Sequence, residues 1–450
     1  MKAPSGDKKM GLVMATTLVT VNMVGTGIFL LPVSMASVGS ISILGWIVAA
    51  VGAGSIGLIF AFLGATDPRP GGPYAYARMT FGPYLGFQTN YVYWSANLLG
   101  NIAVATTITA YATTFLPALK DQWTGTIATI AIVWTSTFCN IIGPRFVGSL
   151  TSWTTILAIL PLIAVATAGW YWFDPTVFQA AWNPHNQTTF QAVSASATIA
   201  LWAFIGIESA SVASGVIENP KRTVPLATML SLLISAALYI STCSVMMGII
   251  PNAELAKSDA PFTEAAARAA GPIAALIIEI AALLKTSGSL VGWTLTIAQS
   301  AEAAAGDGIF PRIYGKRDRR GVPVWNFVIS GFLMTAIVLA TASPTLTDQF
   351  NRIIDTAIIL VLLPYLYTAV TFVISCRERE LPRSRRLAAW AVTLICMGYC
   401  VLAVAGSKAE LTRNAMVILF LSIPIYLAFL GKTKRPGPPS PEGNESPADA

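Results

Sequence analysis

The sequence predicts an all-α polytopic membrane protein with twelve transmembrane helices, the first ten arranged as a five-plus-five inverted repeat. Three observations carry that prediction. The 450 residues are 54% hydrophobic and 11% charged, where a soluble chain of this size would carry about 25% charged residues. The apolar residues gather in blocks of about 20, the length that crosses a bilayer core. The first and sixth blocks are each interrupted by glycine, at Gly25-Thr26-Gly27 and at Gly206. Each interruption opens a five-helix unit, the pattern of transporters whose substrate sits near the midplane between two broken helices.

The elements follow in order. A basic tail, residues 1–10, leads into the transmembrane region, residues 11–431. The first span covers 11–36, and its two glycines around a hydroxyl residue make a weak helix, free to open its backbone. The second covers 41–64 and ends in a turn-rich loop at 66–73. The third, 84–116, is long and polar, with Tyr93, Asn97 and Asn101 at i, i+4 and i+8 on one stripe. The fourth and fifth cover 125–142 and 149–173, with a kink expected at Pro161. The sixth, 193–216, ends at Asn219-Pro220-Lys221-Arg222, and the seventh covers 226–250. An amphipathic stretch at 263–270 precedes the eighth, 272–299. The last four cover 324–342, 353–375, 387–405 and 416–430. The tail at 432–450 is rich in Pro, Glu and Ser and is expected to be disordered.

Charge orients these spans. Of 28 Lys and Arg residues, 21 fall in the tails and loops on the side of the N-terminus, six on the opposite side, and Lys285 lies inside a span. By the positive-inside rule both termini are expected on the cytoplasmic side. The net charge of +7 therefore reports topology, and nucleic-acid binding is not expected. Cys139, Cys243, Cys376, Cys396 and Cys400 show neither metal spacing nor a secreted disulfide framework. No cofactor is expected, and no metal cluster or nucleophile–base pair suggests an enzyme. No cleavable signal precedes the first span.

Chemistry concentrates in residues 201–210. Glu208 places an acid where hydrocarbon belongs, at about 2.5–3.5 kcal/mol on insertion scales, so it should face a cavity and have a task. The alternative is an acid satisfied by a neighbouring helix. Trp202 is bulky enough to close a passage. Trp202 and Trp293 can stack on a cation, or simply pack against lipid. The backbone at Gly25-Thr26-Gly27 can present N–H groups to a carboxylate at a half-helix start, or serve close packing. Asn101 can contact ligand or bond between helices. Glu208 can gate by protonation, since a bound dication favours its ionised form and acidification discharges it.

These residues resemble a known family. The chain is similar to the basic amino acid/polyamine antiporters of the amino acid–polyamine–organocation superfamily. Arginine/agmatine exchangers stand foremost, with lysine/cadaverine and ornithine/putrescine exchangers nearly level. The likeness spans all but the tails. It rests on Gly25-Thr26-Gly27-Ile28-Phe29-Leu30-Leu31-Pro32, Gly71-Gly72-Pro73-Tyr74-Ala75-Tyr76-Ala77 and Gly100-Asn101. It continues through Trp202 to Ala210, Asn219-Pro220-Lys221-Arg222, Gly292-Trp293, Gly306-Asp307-Gly308-Ile309-Phe310-Pro311 and Leu363-Pro364-Tyr365-Leu366-Tyr367.

The resemblance implies a substrate carboxylate held by the Thr26 and Gly27 amides, with Trp202 and Trp293 packed on the rest of the ligand. Met23, Ala96, Asn97, Asn101, Ile205 and Ala357 would complete the pocket. Tyr93, Glu208 and Tyr365 would form an inner gate, Glu208 being its proton-sensitive member. A homodimer in the bacterial inner membrane is implied too. So is the activity: exchange of an external basic amino acid for its internal decarboxylated amine, in acid resistance or polyamine exchange. Arginine/agmatine is preferred slightly, because Asn97 and the stretch 219–230 look as close to lysine/cadaverine exchangers.

Three residues depart from the family pattern: Glu279, Lys285 and Asp355. Lys285, Ser289 and Trp293 share a stripe, placing Lys285 about 12 Å from Trp293 along the axis. An ammonium there would repel a cation unless neutralised, and Asp355 is the expected partner. Glu279 points elsewhere. All three could instead be structural pairs or snorkelling groups. Lys285 also keeps two other functions open: transport of neutral amino acids, with Lys285 replacing a coupling cation, and a transporter-like sensor.

Overall fold

The computed structural model describes residues 10–25, 27–67, 72–214 and 217–430; of the two tails of the sequence reading, 1–10 and 432–450, all but residue 10 lie outside them. The described chain is helical throughout. Span one is a bent pair, α1 (Leu12–Met23) and α2 (Gly27–Ala36), at 47° to one another. Then come α3 (Ser42–Thr66), the short α4 (Pro73–Phe81), α5 (Pro83–Ala112), α6 (Gln122–Ile142) and α7 (Pro144–Ala168). The second half follows with α8 (Pro175–Ala180), the broken pair α9 (Thr189–Phe204) and α10 (Ser209–Val212), and α11 (Pro220–Ile249). Two short helices, α12 (Asn252–Leu255) and α13 (Pro261–Ala270), precede α14 (Pro272–Gly306), α15 (Val324–Ala340) and α16 (Leu346–Glu378). The chain closes with α17 (Arg383–Gly406) and α18 (Ala409–Leu430).

Eight of these elements are long and apolar enough to cross a membrane, and the bent pair makes a ninth. The remaining three spans are α5, whose polar stripe dilutes its hydropathy, α7, and α15, which at 17 residues is about a turn short of a full crossing. Pro161 lies inside α7, which continues through it as one helix.

The inverted repeat has a structural signature that its side chains conceal. In the first half, α4 begins at Pro73, ends at Gly82 with φ 86° and ψ −174°, and turns directly into α5 at Pro83. In the second, α13 begins at Pro261, ends at Gly271 with φ 84° and ψ −175°, and turns into α14 at Pro272. The same elbow, a glycine in a conformation that other residues avoid followed by proline at a helix start, recurs at the matching place in each half. The sequence reading expected an amphipathic stretch at α13 but a plain loop before α5, so α4 is an addition.

The core is built where the broken helices cross long ones. Trp46 of α3 stacks on Tyr239 of α11, ring centroids 5.2 Å apart, and meets Phe204 edge-on at 6.0 Å. The Tyr239 hydroxyl donates to the carbonyl of Met23 at 3.0 Å. That bond caps one of the carbonyls left open where α1 stops, a group that would otherwise be buried without a partner.

Candidate functional site

The two breaks meet. Downstream of Phe204, Ile205 is extended and Gly206 takes φ 104°. A Cβ on Gly206 would lie 3.2 Å from the Asn22 backbone, so both conformation and space demand glycine there. Across the junction, the Asn22 side chain donates to Ser209 Oγ at 2.9 Å. The unwound segments of span one and span six thus hold each other in the middle of the bundle.

A pocket of about 40 Å³ opens at this junction. Met23, Gly27, Ala96, Asn97, Asn101, Trp202, Ile205 and Trp293 all line it, so eight of the ten predicted binding residues come together. Thr26 lies outside the described residues. Ala357 is a correction: it is fully buried and does not line the pocket, and Val361, one turn further along α16, takes that place. The two positions lie one turn apart on the same face of α16, so the difference is one of height along the helix, which depends on packing against α5.

Sequence reasoning also missed Asn22, Gly100, Val104 and Tyr239 as lining residues. Asn22 and Gly100 adjoin recognised motifs, which was a usable signal; Val104 and Tyr239 carried none. Asn101 lines the pocket and donates between helices to Thr294 Oγ1 at 3.1 Å. Asn97 donates to the carbonyl of Tyr93 at 2.8 Å.

Beside the pocket, Glu208 is almost wholly buried. Tyr93 donates to its Oε1 at 3.0 Å, and Tyr365 and the Gly206 amide donate to its Oε2, each at 3.2 Å. Spans three, six and ten are therefore tied through one carboxylate. Three donors thus converge on one acid.

A second cavity of about 260 Å³ adjoins the pocket, with Asn22 and Trp293 lining both. Glu208, Ser209, Tyr93 and Thr151 line it too, as do Lys285 and Ser289. The Lys285 ammonium donates to Ser289 Oγ at 3.1 Å and is 4% exposed. Its expected pairing with Asp355 is corrected here: among the described residues no ion pair joins them. Lys285 reaches along its own helix beside α7, whereas the cation set against Asp355 is Lys408, ahead of α18. Glu279 is buried and accepts from Thr263, pinning α13 to α14.

At the basic end of the bundle, Arg78 of α4 pairs with Asp307 at 2.8 Å. Tyr74 donates to the same carboxylate. Burial and the Asp307 charge together push the Tyr74 hydroxyl pKa well above its ordinary value.

Among the described residues no group of His, Cys, Asp and Glu is placed to hold a metal ion. Comparison with known proteins matches residues 10–429 to the family described as amino acid permease. The cadaverine/lysine antiporter of Escherichia coli strain K12 is 35% identical over 427 residues, covering 94% of this chain and 95% of the relative. The putrescine transporter PotE of the same organism is 35% identical over 420 residues, covering 93% and 96%. The putrescine transporter PotE of Haemophilus influenzae is 32% identical, covering 93% and 97%.

Proposed function

This chain belongs to the amino acid permease family and is a multi-pass bacterial membrane transporter rather than an enzyme, and from that premise we propose that it exchanges an external basic amino acid for an internal decarboxylated amine. The observation that carries the proposal is the Glu208 carboxylate, buried among Tyr93, Tyr365 and the Gly206 amide, beside a pocket walled by Trp202 and Trp293. A buried anion next to aromatic faces suits an ammonium on an aliphatic chain. The α-carboxylate would meet the backbone N–H groups where α2 begins.

For the pair itself, the slight sequence preference for arginine/agmatine gives way to lysine/cadaverine. A cadaverine/lysine antiporter matches nearly the full length, and Asn97 pointed the same way. Ornithine/putrescine ranks beside it, given the similarity to putrescine transporters. Counterflow in proteoliposomes decides among them. Labelled lysine outside should accumulate when cadaverine is loaded inside, more than with agmatine or with no amine. Uptake indifferent to every internal amine would end the exchange reading.

A second reading has one observation in its favour. Lys285 faces the cavity next to the site, as it would in a carrier of neutral amino acids that uses a built-in cation. Alanine or leucine uptake outcompeting lysine uptake would favour it. The homodimer and the cytoplasmic placement of both termini belong to the same proposal; cross-linking in native membranes tests the dimer.

A further inference from the structure

Two opposite charges face the 260 Å³ cavity: Glu208 from the break in span six and Lys285 from the middle of α14. Among the ion pairs of the described residues none joins the two. Each is oriented by its own neighbours, Glu208 by the tyrosine hydroxyls and Lys285 by Ser289. Walls bearing a separated anion and cation complement a ligand bearing a separated cation and anion. An amino acid is such a ligand. A diamine is not, because its second ammonium would face Lys285 in a region where solvent screens charges poorly.

Position adds to the case. Trp293 and Asn22 line both the central pocket and this cavity, so a ligand leaving the pocket on this side meets it next. The room is here too, about 260 Å³ against about 40 Å³ in the pocket. On the strength of this geometry, and resting on the exchange reading above, we infer that the cavity is a second ligand site. It admits amino acids in preference to diamines, and Lys285 is the residue that recognises the carboxylate. Glu208 receives the ammonium as it arrives. The diamine is then the weaker ligand from this side, and its outward flow follows its concentration rather than its affinity.

The test is equilibrium binding of labelled L-lysine and cadaverine to the purified full-length transporter in detergent, for the wild type, Lys285→Met and Lys285→Arg. The wild type should prefer lysine. Lys285→Met should reduce that preference at least tenfold, by weakening lysine and sparing or improving cadaverine. Lys285→Arg should keep most of it. A lysine-to-cadaverine ratio that is the same in the wild type and Lys285→Met overturns the inference, because a purely structural lysine would alter both ligands alike. If Lys285→Met does not fold, Lys285→Gln is read in the same way, with lysine methyl ester as a third ligand. The ester should then lose its disadvantage against lysine in the variant, and an undiminished disadvantage overturns the inference. Wild-type protein that binds neither lysine nor cadaverine removes the exchange reading. In that event Lys285-dependent binding of L-alanine would support the carboxylate site by itself, and Lys285-independent binding would remove it as well.

Discussion

Glu208 shows how much of a site can depend on one acid. Its oxygens accept from two tyrosines and a backbone amide belonging to three spans, so a change in its protonation would be felt by three spans at once. Glu208→Gln should fold, because the amide oxygen still accepts. Its exchange activity should lose most of its dependence on pH between acidic and neutral buffers, measured as uptake by proteoliposomes; a profile identical to the wild type would take Glu208 out of the gating mechanism. Trp293 is the companion case. Trp293→Ala should weaken lysine binding by about 0.5–2 kcal/mol, the value of an aromatic face over a desolvated cation, with Trp293→Phe recovering part of it in calorimetry. Glu208, Trp202 and Trp293 were legible in the sequence because an acid or a large aromatic inside an apolar run is rare. The direction Lys285 takes was not legible: a long side chain reaches several neighbours, and only packing against α7 decides among them.

Among the elements, α13 is held by the bond from Thr263 to Glu279 and by Phe262 against Phe29, ring centroids 5.4 Å apart. The first contact ties it to α14, the second to α2, the second half of the broken span. Thr263→Val keeps the shape but leaves a buried acid short of a donor, which costs about 1–3 kcal/mol. Thermal unfolding in detergent should show that loss, and Glu279→Leu in the Thr263→Val background should restore part of it. No recovery would mean that the pin contributes nothing. The spans and both breaks could be read from the sequence, since apolar length and glycine interruptions are local properties. The one-turn shift along α16 from Ala357 to Val361 is not local, and α4 was hidden by the turn-forming residues that precede it.

At the scale of the whole molecule, the basic residues gather at one end of the bundle, where α4 meets Asp307, while Lys257 and Asp259 stand at the other. A membrane-impermeant maleimide should label Lys257→Cys in intact cells and Arg319→Cys only after permeabilisation, if the basic end is cytoplasmic. The reverse pattern would invert the topology. The two elbows, Gly82-Pro83 and Gly271-Pro272, bear on a different matter. A molecule made of one motif used twice, upside down the second time, can trade the shapes of its halves, so that one face closes as the other opens. If the halves were identical, the two states would have equal energy and need no fuel to interconvert. Only the differences between the halves can then set which face rests open: Arg78, Tyr74 and Asp307 latch one elbow, and Thr263 and Glu279 the other. The resting bias of such a molecule would then depend on those two unlike latches, and swapping the strength of one against the other should tip it either way.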